Sequence, residues 1–147
     1  NSHIDFDLDL AKKKSNKNPV YYVQYAHARI CSILSKVIHE PGSQSYSEPG
    51  SEQVNYELLT TSYELELIKQ ITRLPELVED IASSFAVHRL TSYAIDLADS
   101  FHRFYENCRV IGERQELMRE RISLILSTKI ALSNTLLLLG VSAPEKM

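Results

Sequence analysis

The chain has 147 residues, a formal net charge of −3 and 44% hydrophobic residues, with four glycines and five prolines. That length and composition suit one packed domain and argue against a disordered chain or a disulfide scaffold. The net charge argues against binding to nucleic acid by bulk electrostatics alone.

The charge is unevenly spread. Between Glu40 and Asp80 stand nine acids and two bases, while the remainder carries fourteen bases and ten acids. A chain divided this way can turn a mildly basic face toward RNA and an acidic one elsewhere. No uninterrupted apolar run approaches the length of a membrane span, and the N-terminus lacks a signal-peptide pattern. Cys31 and Cys108 each fall inside a predicted helix next to apolar positions, which reads as reduced, buried thiols in a cytosolic protein.

In chain order, Ile4, Phe6 and Leu8 alternate with His3, Asp5, Asp7 and Asp9, an extended period. Asp7 or Asp9 then caps a short helix through Lys14. Lys12, Lys13, Lys14 and Lys17 form a small basic run, read first as a solvated face.

Asn18-Pro19 predicts the start of a long helix to about Ile38: the Asn side chain accepts from free backbone N–H groups and Pro loses nothing in the first turn. Val23, Ala26, Ile30, Ile33, Leu34 and Val37 recur at three- and four-residue steps as one core face. Tyr22, Tyr25, Arg29, Ser32 and Lys36 form a second stripe about 100° around the cylinder. Aromatic rings stack on bases and Arg pairs with phosphate, so this flank suits single-stranded nucleic acid. The alternative is two tyrosines half-buried at a helix–helix seam.

The two Pro-Gly pairs and four serines between His39 and Gln53 predict a mobile loop. A helix from Leu58 to Leu74 follows, with Leu58, Leu65, Ile68 and Ile71 or Thr72 inward, and then another from Pro75 to about Phe85. The helix from about His88 to Val110 has Leu90, Ala94, Leu97, Phe101, Phe104 and Cys108 as its core stripe. His102, Tyr105 and Arg109 occupy its flank, while Asp96 and Asp99 face outward; His88 and His102 read as polar edges of this core helix. Two helices thus carry matching aromatic-and-arginine flanks, which merge into one patch if the helices pack side by side. Gly112 stops this helix.

The last helix runs from about Arg114 to Leu139, with Met118, Ile122, Ile125, Leu126, Ile130, Leu132 and Leu136 inward and Ser123, Ser127 and Ala131 allowing close approach. Gly140 ends it and Pro144 stiffens the outgoing chain. The architecture expected is an all-α bundle of about five helices behind a short extended lead-in.

No phosphate-cradling glycine loop or nucleophile elbow is present, and His27 with Cys31 offers at most two metal ligands. The patterns therefore point to a binding domain and give no candidate catalytic residue.

Four blocks carry a family resemblance: Asn18-Pro-Val-Tyr-Tyr-Val-Gln-Tyr-Ala-His-Ala-Arg29, Phe6-Asp-Leu-Asp-Leu-Ala11, Phe101-His-Arg-Phe-Tyr-Glu-Asn-Cys-Arg-Val110 and Leu138-Leu-Gly-Val-Ser-Ala-Pro-Glu-Lys-Met147. In chain order they resemble the carboxy-terminal anticodon-binding domain of class I arginyl-tRNA synthetases. The resemblance implies a lead-in over residues 1–17 and the helical domain over 18–147. It implies that Tyr22, Tyr25, Arg29, Tyr105, Arg109 and Met147 bind tRNA, with phosphate contact at Arg109, where some relatives carry an aromatic. It also implies a cytoplasmic, monomeric parent enzyme that joins arginine to its tRNA using ATP with magnesium. The partners would be arginine tRNA and the enzyme's own catalytic domain, with no membrane. The His-x-Gly-His and Lys-Met-Ser-Lys signatures of class I catalysis are missing here, so this chain would bind tRNA without aminoacylating it. A non-catalytic protein-interaction bundle with an exposed tyrosine stripe is the competing reading.

Overall fold

The computed structural model describes residues 7–15, 17–39 and 56–147; the alternating stretch up to Phe6 and most of the predicted loop lie outside them. Helix α1 (Leu8–Lys12) begins at Asp7, whose carboxylate accepts the Leu10 N–H at 2.9 Å. It closes two residues before the expected Lys14, because Lys13 is already extended. Asn18 then joins two helices through one buried amide. Its Nδ2 donates to the Ala11 and Lys13 carbonyls at the end of α1, and its Oδ1 accepts the Val20 and Tyr21 N–H groups. That satisfies orphan groups at both helix ends, the reason Asn is favoured at such a position.

Helix α2 (Pro19–His39) buries Val23, Ala26, Ile30, Ile33 and Val37 as expected, with Leu34 packed at the margin. The helix predicted over Leu58–Leu74 is divided. A 3-10 turn covers Tyr56–Leu58, and α3 (Ser62–Thr72) starts at Thr61, where a capping box forms: Thr61 Oγ1 accepts the Glu64 N–H and Glu64 Oε2 accepts the Thr61 N–H. Ile68 and Ile71 pack against the core as expected, but the fully buried residues of α3 are Glu64 and Leu67, and Leu65 is 47% exposed. Helix α4 (Leu74–Ser84) takes Pro75 in its first turn and ends with Phe85 in the left-handed conformation, φ 58°.

Helix α5 (His88–Asn107) lies at the centre of the bundle and packs against α2, α3, α4 and α6 (Gln115–Leu138). All six predicted core residues from Leu90 to Cys108 are buried. Tyr93 joins them, donating its hydroxyl to the Gln70 carbonyl at 2.9 Å, and burial pushes its phenol up to about 12.

Helix α6 buries Ile125, Leu132 and Leu136 as predicted, but Ile130 is 55% exposed and Met118, Ile122 and Leu126 are only half-buried. The inward row instead includes Arg121, Leu124, Thr128 and Thr135, the two threonines donating to the carbonyls four residues back. Aliphatic residues surround this helix on every side, so its sequence fixes no rotational phase. Its 24 residues include an apolar window of mean hydropathy 1.2, enough by length and composition to cross a bilayer, yet 44% of that window is buried inside the domain.

Two further devices fix the end of the bundle. Glu64 and Arg121 form a buried ion pair between α3 and α6, Arg121 Nε donating to Glu64 Oε1 at 2.7 Å. Arg121 Nη1 donates to the Arg109 carbonyl and stands 3.7 Å from Glu113, tying down the α5–α6 turn. At the far end of α6, Gly140 at φ +70° lets its N–H reach the Leu137 carbonyl and the Val141 N–H reach that of Leu136. This is a Schellman closure, and Val141 folds back onto the core. Among the described residues there is no strand, so the all-α expectation stands.

Candidate nucleic-acid interface

Packing of α2 on α5 brings the two predicted flanks together. Tyr22 and Tyr25 on α2 both face His102 on α5, with ring centroids 5.2 and 6.2 Å apart. One turn along, the Arg29 guanidinium lies 5.1 Å over the Tyr105 ring, within cation–π range, and Tyr105 stacks in turn on Phe101. Tyr21 extends the array, 6.4 Å from Tyr25 and nearly parallel to it. The result is one continuous band of rings with a guanidinium beside it.

Members of the band differ in freedom. Tyr22 is half-buried and donates its hydroxyl to Asp99 at 2.5 Å. Burial and then the Asp99 carboxylate push its phenol well above the ordinary tyrosine range, so it remains a fixed hydrogen-bond donor. Asp99 is thereby half-buried and engaged, where periodicity placed it facing outward. Tyr25, at 37% exposure, offers a ring to solvent. His102 is held below the usual histidine range by burial and then by the Arg29 charge, which keeps it a neutral ring at physiological pH. A neutral spacer between two tyrosines preserves the apolar character of the band.

Arg109 does not extend this flank. Helix α5 stops at Asn107 and Cys108 is extended, so the helical spacing that aligned Arg109 with Tyr105 is broken. The Arg109 guanidinium folds back over its own turn, Nε donating to the Ile111 carbonyl and Nη2 lying 2.7 Å from where a Cβ on Gly112 would stand. Its side chain is nevertheless exposed.

Met147 is 55% exposed at the end of a strap that does not hang free. Gln24 Nε2 donates to the Ser142 carbonyl at 2.8 Å, His27 Nδ1 donates to the Pro144 carbonyl at 2.9 Å, and Lys129 pairs with Glu145 at 3.5 Å. Gln24 and His27 were absent from the sequence-derived site. Their three-residue spacing on α2 was the available signal, but nothing marked residues more than a hundred positions away as their partners. Among the described residues no cluster of His, Cys, Asp and Glu could hold a metal ion.

Fold and surface together define an all-helical domain built to present aromatic and cationic side chains along one helix seam. Residues 23–147 match the DALR anticodon binding domain, and the chain belongs to that family. It is 50% identical over 146 residues to the arginine–tRNA ligase of Moorella thermoacetica, covering 99% of this chain and 25% of that protein. Its fold is similar to Thermus thermophilus arginyl-tRNA synthetase, with a TM-score of 0.74, 34% identity and coverage of 98% of this chain and 24% of that one. The Plasmodium falciparum enzyme gives a TM-score of 0.73 at 31% identity, over 100% of this chain and 24% of its own. The chain thus spans about a quarter of the length of the curated relatives it matches.

Proposed function

We propose that this chain is the part of an arginine–tRNA ligase that holds the anticodon loop of arginine tRNA. The observation that carries the reading is the merger of the two flanks: Tyr22, Tyr25 and Arg29 on α2 meet Tyr105 and His102 on α5 in one band. A splayed-out base can stack on Tyr25, whose open face needs no rearrangement, while Arg29 can turn from the Tyr105 ring to a phosphate. Arg109, exposed beside the α5–α6 turn, meets backbone phosphate, and Met147 packs its adaptable thioether near the same loop.

Residues 18–147 act as the binding domain and residues 1–17 as its lead-in. The parent enzyme, a cytoplasmic monomer, activates arginine with ATP and magnesium in a catalytic domain that contacts this one. These residues supply position only, orienting the tRNA so that its acceptor end reaches that site.

The test is a titration of the purified chain with arginine tRNA and with an unrelated tRNA at several salt concentrations. Tighter binding of arginine tRNA, weakening with salt, supports the reading. Equal or absent binding of both overturns it in favour of a protein-interaction bundle.

A further inference from the structure

The strap that follows α6 is fastened along one particular ridge of α2. Gln24 holds Ser142 through both its carbonyl and its hydroxyl, at 2.8 and 3.1 Å. His27, 2% exposed, holds the Pro144 carbonyl. A carbonyl only accepts, so the Nδ1 atom carries the hydrogen, and the imidazole is committed to one tautomer with Nε2 buried and without a hydrogen-bond partner. Val141 and Ala143 pack against the core, but Glu145, Lys146 and Met147 are exposed, so the bond at Pro144 sits where the strap leaves the core and sets the direction of its last three residues.

The direction of the strap supplies one. Ser142 is bonded at position 24 and Pro144 at position 27, so the strap advances along α2 toward its C-terminal end, the same way that leads from Tyr22 to Arg29. At 100° per residue the Gln24–His27 ridge and the aromatic flank lie on opposite sides of the core stripe. Ala28 stands between them on the outer arc, about half a turn from the core stripe, where a helix face ordinarily meets water. Yet Ala28 is only 7% exposed. The strap is bonded at Gln24 and His27, on the ridge next to Ala28.

We propose that Gln24 and His27 are positioning residues for RNA binding. They latch residues 142–144 along α2, so that beyond Glu145 the last two residues, Lys146 and Met147, are delivered toward the open side of the Tyr25–Arg29 band. The ion pair from Lys129 on α6 to Glu145 fixes the second side of the strap. The RNA-binding surface is then made of three elements, α2, α5 and the strap, and its third wall depends on two side chains that touch no RNA. This rests on the anticodon-loop reading above.

A double-mutant cycle on the full chain tests it. Gln24→Ala and His27→Ala, separately and together, are measured for affinity toward arginine tRNA in the intact chain and in a chain ending at Pro144. Each substitution is expected to weaken binding about tenfold in the intact chain, which corresponds to about 1.4 kcal/mol, and less than about twofold in the shortened one. His27→Asn, whose amide N–H can reach the same carbonyl, should recover most of the loss. Hydrogen exchange at the Ser142, Ala143 and Glu145 amides should quicken in the alanine variants while the exchange of α5 is unchanged. Equal losses in the intact and shortened chains would show that Gln24 and His27 act without the strap, overturning the proposal. So would full affinity in both alanine variants. If the parent chain itself fails to bind arginine tRNA while the strap amides still respond, the anticodon-loop reading fails and the positioning role falls with it, leaving a latch alone.

Discussion

Removing Arg121 should strand a carboxylate in the core. Glu64 is 0% exposed, and its two oxygens are taken by Arg121 Nε at 2.7 Å and by the Thr61 N–H at 2.8 Å. Arg121→Met keeps the volume of the stem but deletes every charged donor to Glu64, and breaking one side of a buried pair costs about 3–5 kcal/mol. The Arg109 carbonyl loses its donor in the same step. For a domain of this size about 4 °C accompanies each kcal/mol, so the melting temperature should fall by about 12–20 °C at pH 7. Glu64→Gln combined with Arg121→Met removes the stranded charge and should recover more than half of that loss. The pH dependence adds an independent sign. Burial alone would raise the Glu64 carboxyl, but the bonds from Thr61 and Arg121 outweigh it and hold it below its ordinary 4.5. The ionised form is therefore favoured by folding. Its stabilisation is present above pH 4.5 and is lost as the pH falls through the folded-state value. Thermal melts followed by circular dichroism at pH 7, 5 and 3.5 should show the gap between parent and Arg121→Met narrowing in acid. A loss below about 3 °C at pH 7, or a gap independent of pH, would refute the pair as a structural tie.

Tyr25→Ala should weaken binding of arginine tRNA by about 1–3 kcal/mol, the value of one base–aromatic stack, while lowering the melting temperature little; Ile125→Ala, from a fully buried site, should do the reverse at about 2–5 kcal/mol. His102 has a depressed pKa, so folding favours its neutral form and stability is lost as the pH drops below 6.5 toward the folded-state value. Melts between pH 7.5 and 5 should show that loss in the parent and a smaller one in His102→Gln. Gly140→Ala meets no atom within 4 Å but must hold φ at +70°, so it should cost about 1 kcal/mol in denaturant unfolding through backbone strain alone.

What could be read from the residues in order was whatever local chemistry alone decides. The Asn18-Pro19 start of α2, both of its stripes, and the core row of α5 follow from caps and three- and four-residue spacing, and all three are present. Glu64 was illegible because an acid at a core position reads as surface until a partner 57 residues away is known. With Glu64 and Leu67 inward, Leu65 between them faces out. On α6 the apolar residues outnumber the places in the core, so no spacing rule could choose Leu124 over Ile130. The early end of α5 carried no glycine or proline signal before Gly112, which is why Arg109 was carried along a helix that had already stopped. His102 was visible on the flank, but its place between two tyrosines depended on which helix α5 met.

The way α2 is attached has a consequence for how such a chain can vary. Its partners are α5 and α6, far along the sequence, and the contacts that hold it are side-chain packing across those two helices. A substitution in α5 or α6 that reshapes the face turned toward α2 therefore shifts the rings of the binding seam, although it lies far from them along the chain. A change that compensates for it has to arise on α2 itself, since packed side chains answer to their neighbours in space. The distant stretches of sequence that make this seam are free to vary only together.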